Sequence, residues 1–227
     1  MMLILGCSGQ SHEKKEIELI KNQAEFYGIH VESEIPKDSD AFFEVFKKGI
    51  KYDYIFLSAH GSDTGFSNED ETIDVSWIQF AELLFNEDCL NEDSHILLSC
   101  CRGGLNDVAF DLIYFNENIN IVVGPKNSLD SNHLVIGFNA YLYNVEIRKL
   151  DPIISAEKIK LGFDLRFMCF DSIEVKTEPA YLLRFDKYEV DKIDIDKDGE
   201  VDEIRIRRKN KEKVTYSDKD SLQQVNA

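Results

Sequence analysis

The chain has 227 residues, of which 43% are hydrophobic and 30% are charged, and this composition supports a sizeable folded core rather than disorder. Its formal net charge of −17 argues against nucleic acid as a partner, because phosphate binding depends on clusters of Lys and Arg. No apolar run approaches the roughly 18 residues that a membrane span requires, so we expect no membrane partner. The five cysteines have neither disulfide nor zinc-finger spacing, which predicts reduced thiols and a cytoplasmic setting.

Apolar runs of strand length alternate along the chain with stretches of helical periodicity. The predicted elements, in chain order, are a strand at 3–7, a helix at 11–27, a strand at 29–35, a helix at 39–49, a strand at 52–59, a helix at 76–88, a strand at 95–101, a helix at 105–117, a strand at 119–124, and helices at 132–147 and 153–166. This alternation indicates an α/β fold with a mostly parallel central sheet and helices on both faces. We expect residues 1–170 to form this domain and residues 171–227 to form a β-rich C-terminal extension.

Two strands end in residues that carry chemistry. The apolar run "YIFLSA" leads directly into His60 and Gly61, and "HILLS" leads into Cys100 and Cys101. Folds of this kind place their sites at the carboxyl ends of the parallel strands. A single helix separates the two strands, so we expect them to pair and to bring the histidine and a cysteine together.

A Cys–His pair is the minimum set for thiol nucleophilic catalysis, because the imidazole accepts the thiol proton and later protonates the leaving amine. The N–H groups of Gly61 and Cys101 would form an oxyanion hole, which is typically worth about 3 to 4 kcal/mol per donor. Alternation along a strand places Cys100 and Cys101 on opposite faces, so the residues alone leave either as the nucleophile. Each motif taken alone is also typical of an ordinary strand end or core.

Both motifs resemble those of the clan CD cysteine peptidases. "LLSCCRGG" resembles the caspase nucleophile motif, and "FLSAHGSDTGF" resembles its histidine motif. "NIVVGPKNSLDSNHLVIGFNAYLY" is most similar to bacterial CHAT and other prokaryotic caspase-like domains, and the resemblance covers about residues 1–166. It implies a caspase-like α/β/α sandwich, with His60 as the proton-transfer residue and Cys101, which precedes Arg, as the nucleophile. It also implies a protein substrate, no required cofactor, and a bacterial effector that a partner or signal switches on.

The same resemblance implies that the pocket for the residue before the scissile bond is built from three loops, at 8–13, 102–106 and 125–132. Family members that cut after Arg or Lys carry an acidic residue there, and Asp130 is the best candidate, with Glu13 second. Arg102 and Ser131 are further candidates for contact with the substrate. The alternative for Asp130 is that it caps the helix that begins near Ser131.

The C-terminal extension contains an Asp-rich stretch, "DIDKDGEVDEIRI". Alternating carboxylates around a glycine are typical of Ca²⁺ ligands, and the candidates are Asp194, Asp196, Asp198 and Asp202. The stretch departs from an EF-hand because Arg205 stands at the twelfth position, where that loop has Glu. The alternative is an ordinary hairpin turn around Gly199.

Two further functions remain open from the sequence. The chain would be a catalytically inert interaction module of caspase-like fold if the Cys–His pair does not react. It would be a calcium-binding protein if the Asp-rich stretch is the functional site. Calcium could also regulate a peptidase, so calcium binding by the Asp-rich stretch is compatible with catalysis.

Overall fold

The computed structural model describes residues 1–10, 12–178, 180–181, 188–193 and 203–208. Two compact units make up the chain, Met1–Val175 and Lys176–Ala227. The described strands are β1 (Met2–Gly6), β2 (Val31–Glu34), β3 (Tyr52–Ser58), β4 (His60–Gly61), β5 (Gly65–Ser67), β6 (Asp74–Ser76), β7 (Leu90–Ser99), β8 (Ile119–Pro125), β9 (Phe167–Asp171), β10 (Tyr188–Ile193) and β11 (Glu203–Arg208). The described helices are α1 (Glu13–Phe26), α2 (Ser39–Phe46), α3 (Trp77–Asn86), α4 (Asn106–Phe115), α5 (Ser131–Leu142), a π-helix (Tyr143–Ile147), α6 (Pro152–Phe163) and α7 (Ser172–Thr177).

A six-stranded sheet forms the centre of the first unit, in the order β2-β1-β3-β7-β8-β9. Its first five strands run parallel, and β9 pairs antiparallel with β8 at the edge. The predicted α/β fold with a mostly parallel central sheet is therefore confirmed. The pairing of β3 with β7, which the candidate site requires, is also present.

Both faces of the sheet are buried. Alternate strand residues on one face join a core with α1, α5 and α6, and they include Ile4, Phe56 and Leu97. Their neighbours on the other face, Leu5 and Leu57 among them, have no exposed surface either. Strands covered on both faces read as continuous apolar runs, which is why β1, β3 and β7 were visible in the sequence.

The polar stretch after β3 is a small antiparallel sheet, β4-β5-β6, where a loop was expected. Its anchor is Phe66, whose ring lies 5.5 Å from that of Phe42 and 5.3 Å from that of Trp77. The indole N–H of Trp77 donates to the carbonyl of Ser62 at 3.0 Å. The residues that follow His60 are thus fixed to the core by aromatic packing.

Besides this small sheet, strand β9 was not expected, and three other elements differ from the sequence-based expectation. Strand β7 begins at Leu90, five residues before the expected 95, through the polar run "NEDS". Helix α5 ends at Leu142 and the chain continues as the π-helix. Residues 172–177, expected to be strand-like, form α7 because the Asp171 carboxylate accepts the N–H groups of the next turn and caps a helix.

The described part of the second unit is one antiparallel pair, β10 with β11, in which Tyr188 faces Arg208 and Ile193 faces Glu203. The β-rich extension expected at 171–227 stays a prediction, since the described residues of that range include both this pair and helix α7. The Asp-rich stretch at 194–202, for which a calcium loop and a hairpin turn are the two alternatives, lies outside the described residues.

Candidate active site

Strands β3 and β7 lie side by side and end at the same edge. Ser58 and Ser99 are register partners, and the next residue, Ala59, donates its N–H to the carbonyl of Ser99 at 3.4 Å. The chain then turns into His60 on one strand and into Cys100 and Cys101 on the other. The sheet therefore brings the histidine and cysteine segments together, as the spacing predicted.

The backbone of Gly61 lies directly against the cysteine segment. A methyl group placed on Gly61 would stand 2.1 Å from the carbonyl oxygen of Cys101 and 3.1 Å from the sulfur of Cys100. Only a residue without a side chain permits this approach. The glycine is therefore required by the contact between the two segments as well as by any oxyanion role.

The Gly61 N–H faces away from β5. The N–H of Ser62 donates to the carbonyl of Gly65 at 2.8 Å, so Ser62 and Gly65 form a hydrogen-bonded pair of the small sheet. Hydrogen-bonded and non-hydrogen-bonded pairs alternate along an antiparallel ladder. Gly61, paired with Phe66, is consequently a non-hydrogen-bonded position, and its N–H faces away from β5.

The two cysteines have different surroundings. Cys100 is 1% exposed, and its sulfur would lie 3.0 to 3.1 Å from a methyl group placed on either Gly103 or Gly61, so it packs beneath both glycines. Burial raises the pKa of the Cys100 thiol well above its usual range, which disfavours the thiolate. Cys101 is partly exposed. Of the two, Cys101 is the thiol that a substrate can reach.

Arg102 follows Cys101 in the left-handed conformation, with φ of 63°. Its guanidinium forms an ion pair with Asp63, two residues beyond Gly61, and both side chains are more than half exposed. Exposed pairs of this kind contribute little to stability, about 0 to 1 kcal/mol. The pair links the histidine segment to the cysteine segment at the surface, and it places Arg102 at the rim of the site.

The three loops expected to form a specificity pocket are neighbours. The loop after β1 meets the start of α5 through a hydrogen bond between His12 and Ser131. The N–H of Gly104, after the cysteines, donates to the carbonyl of Pro125 at 2.9 Å. The sheet edge thus gathers the segments around 8–13, 102–106 and 125–132.

Asp130 and Glu13 differ sharply as pocket candidates. Asp130 stands at the N-cap position of α5, yet its side chain makes no capping hydrogen bond and is exposed. The Glu13 carboxylate is buried and accepts the N–H groups of Ser8 and Gly9, so it is occupied in holding its own loop. Of the two, Asp130 offers the free carboxylate.

Two residues at the site were not singled out from the sequence. Gln10 places its amide nitrogen 3.2 Å from Nε2 of His60. Glu16 on α1 is 5% exposed and accepts a hydrogen bond from Ser99 at 2.6 Å, directly below the cysteines. Burial raises the pKa of Glu16 to about 7, against the opposing effect of the Ser99 hydrogen bond. Its run, "EKKEIE", reads as a solvated helix face, and the sequence carries no signal that it is buried.

No metal centre accompanies His60 and Cys101 in the part of the chain that the structure describes, since no three His, Cys, Asp or Glu side chains there are grouped to hold an ion. Among the same residues, none of the helices combines the length and apolar character needed to cross a bilayer. The comparisons with known proteins return no match, either to a protein-family model or to a curated protein.

Proposed function

We propose that the chain is a cysteine endopeptidase of caspase-like α/β/α fold, with His60 and Cys101 as its catalytic dyad. One observation carries the proposal. The strand ends of β3 and β7 place Gly61 against the backbone of Cys101, with room for nothing larger than a hydrogen atom on Gly61. A partly exposed Cys101, a histidine at the neighbouring strand end and a backbone N–H that faces away from β5 supply the kinds of group that acyl transfer requires.

The reaction follows from these positions. His60 takes the Cys101 proton, and the sulfur attacks the peptide carbonyl carbon to form a tetrahedral oxyanion. Collapse of that intermediate breaks the C–N bond, and the imidazolium gives its proton to the departing amine. Water, deprotonated by His60, then attacks the thioester, and the sulfur leaves and recovers its proton.

The oxyanion is stabilised by the N–H groups of Gly61 and Cys101. The register of the small sheet directs the Gly61 N–H away from β5. In the described part of the chain, the Cys101 N–H donates no hydrogen bond. Two fixed donors of this kind act where the charge develops and need no reorganisation during the reaction.

The substrate is a protein segment with Arg or Lys before the scissile bond. The exposed, uncapped carboxylate of Asp130 supports this preference, since it lies beside the His12–Ser131 contact that borders the site. A basic side chain would find a free acidic partner there, whereas Arg102, the basic group at the rim, is paired with Asp63. We also propose that a partner or signal activates the peptidase, as the resemblance to bacterial effectors implies.

Cleavage of fluorogenic peptides with Arg, Lys, Asp, Leu or Gly before the reporter tests the proposal, with Cys101→Ala, His60→Ala and Cys100→Ala measured alongside, each with and without Ca²⁺. We expect cleavage after Arg or Lys, its loss in the first two variants, and its retention in Cys100→Ala. An equal loss in Cys101→Ala and Cys100→Ala, with both folded, would contradict the dyad. Labelling of Cys101 by an active-site thiol probe without turnover would indicate a latent enzyme, and neither cleavage nor labelling would favour an inert interaction module.

A further inference from the structure

The imidazole of His60 has a side-chain partner in the loop after β1. The amide nitrogen of Gln10 lies 3.2 Å from Nε2 of His60, across 50 residues of sequence. Both side chains are half-buried, so solvent has limited access to the contact. A nitrogen-to-nitrogen hydrogen bond needs one donor, and the amide N–H is a donor at every pH.

Gln10 is held in place by a network of backbone hydrogen bonds. Its own N–H donates to the Ser8 hydroxyl at 3.2 Å, and its carbonyl accepts from the N–H of Glu13 at 3.1 Å. The buried carboxylate of Glu13 in turn accepts the N–H groups of Ser8 and Gly9. Gly9 completes the turn with φ of 73°, a conformation that glycine adopts without strain.

We propose that Gln10 is a positioning residue for His60: its side-chain amide pairs with Nε2 of the ring, and its oxygen accepts from a protonated Nε2 when a bare Nδ1 takes the proton of Cys101. This inference rests on the proposed peptidase function. Nothing else in the described part of the chain is hydrogen-bonded to the His60 side chain. The ring orientation therefore depends on this contact and on packing.

A glutamine suits this position because the number of protons on the His60 ring changes during the reaction. The amide presents either its nitrogen as a donor or its oxygen as an acceptor after a half-turn about the last side-chain bond. It therefore bonds to a bare Nε2 and to a protonated one. A carboxylate at the same place accepts only and favours the imidazolium, and a methyl group does neither.

Gln10→Ala and Gln10→Glu test this inference, with Gln23→Ala in the last turn of α1 as the matched control. We expect Gln10→Ala to lower kcat by about tenfold with little change in KM, because ring alignment serves proton transfer rather than substrate binding. Gln10→Glu should move the acidic limb of the kcat/KM pH profile upward by about one pH unit. Gln23→Ala should change neither quantity.

A second readout separates this inference from the proposed function. The ring resonances of His60 can be titrated by NMR in chains labelled at histidine, with His60→Ala for assignment. Gln10→Glu should raise the titration midpoint of His60 and leave those of the other histidines in place. An unmoved His60 midpoint in Gln10→Glu would overturn the positioning role even if peptides are cleaved. A wild-type chain that neither cleaves a peptide nor reacts with the thiol probe at Cys101 would count against the proposed function, and the titration would still decide whether Gln10 holds the ring.

Discussion

Gly61 is the residue on which the geometry of the site depends most directly. Any side chain there would meet the Cys101 carbonyl at 2.1 Å, a backbone atom that cannot rotate away. The segments would have to separate, and the proposed oxyanion donor, the Gly61 N–H, would move with them. A shift of this size at a catalytic donor typically costs a factor of about 10² or more in kcat.

Gly61→Ala is therefore expected to lower kcat/KM by at least about 100-fold and to lower the free energy of unfolding by about 1 to 3 kcal/mol through overpacking. Gly162→Ala on α6 is the control, because no atom lies within 4 Å of a methyl group at that position. It should leave activity unchanged and raise stability by about 0.5 to 1 kcal/mol. Full activity in Gly61→Ala at a temperature where the variant is folded would contradict the site geometry.

The raised pKa of Glu16 predicts that the stability of the protein depends on pH. Its folded-state pKa of about 7 lies above the ordinary value for glutamate of about 4.3, so the folded protein holds a proton that the unfolded chain releases. Stability therefore falls as pH rises from about 4.5 to 7 and stays at its lower level above that range. This difference in pKa corresponds to a loss of about 3 kcal/mol in the free energy of unfolding, as an order of magnitude.

Chemical denaturation at pH 5 and pH 8 tests this. We expect wild type to lose more stability between these values than Glu16→Gln, which has no proton to release. Glu25→Gln, an exposed glutamate at the other end of α1, should follow wild type. Parallel pH dependence in wild type and Glu16→Gln would show that Glu16 is not the group responsible.

At the scale of elements, the loop before α5 sets the expected specificity. Helix α5 begins at Ser131, which bonds to His12, and Asp130 precedes it with an uncommitted carboxylate. We expect Asp130→Asn to lower kcat/KM for Arg and Lys peptides by about tenfold or more, with less effect on Leu peptides, because one charge partner is lost. The peptide panel measures this, with Glu25→Gln as control. A uniform loss over all peptides would assign Asp130 a structural role instead.

The elements that the sequence predicted well are those with both faces buried. β1, β3 and β8 lie within two residues of the expected bounds, since continuous apolar runs end abruptly at polar residues. The start of β7 was missed because "NEDS" is polar, and β9 was not predicted as a strand. The small sheet after β3 was missed because the apolar residues of its strands, Phe66 and Val75, are separated by eight residues that are mostly polar.

The same limits apply to the site. The sequence could predict that the segments of His60 and Cys101 are neighbours, because a single predicted helix separates the strands that precede them. Strands connected in this way commonly pair, and β3 and β7 do so. Gln10 and Glu16 could not be identified, because their roles depend on which face of α1 and which side of its preceding loop meets the sheet edge. A polar residue gives no sign in the sequence that it will be buried.

At the scale of the whole molecule, the residues of the candidate site all lie in the first unit. Met1–Val175 contains the six-stranded sheet and the core around it, and every side chain assigned above to the dyad, the oxyanion hole and the pocket belongs to it. A unit with its own core is expected to fold independently. We predict that a fragment of residues 1–181 unfolds in one cooperative transition by calorimetry. The absence of a cooperative transition would show that the second unit contributes to the stability of the first.

The most direct test of the central claim is the rate of Cys101 alkylation by iodoacetamide as a function of pH, followed by mass spectrometry in wild type and in His60→Ala. Because the thiolate is the reactive form, an imidazole partner should make Cys101 react at pH 6 to 7 at least about tenfold faster in wild type than in His60→Ala. Buried Cys100 should remain unlabelled in both proteins. Equal rates for Cys101 in the two proteins would mean that His60 does not activate the thiol, and the dyad on which the account depends would be wrong.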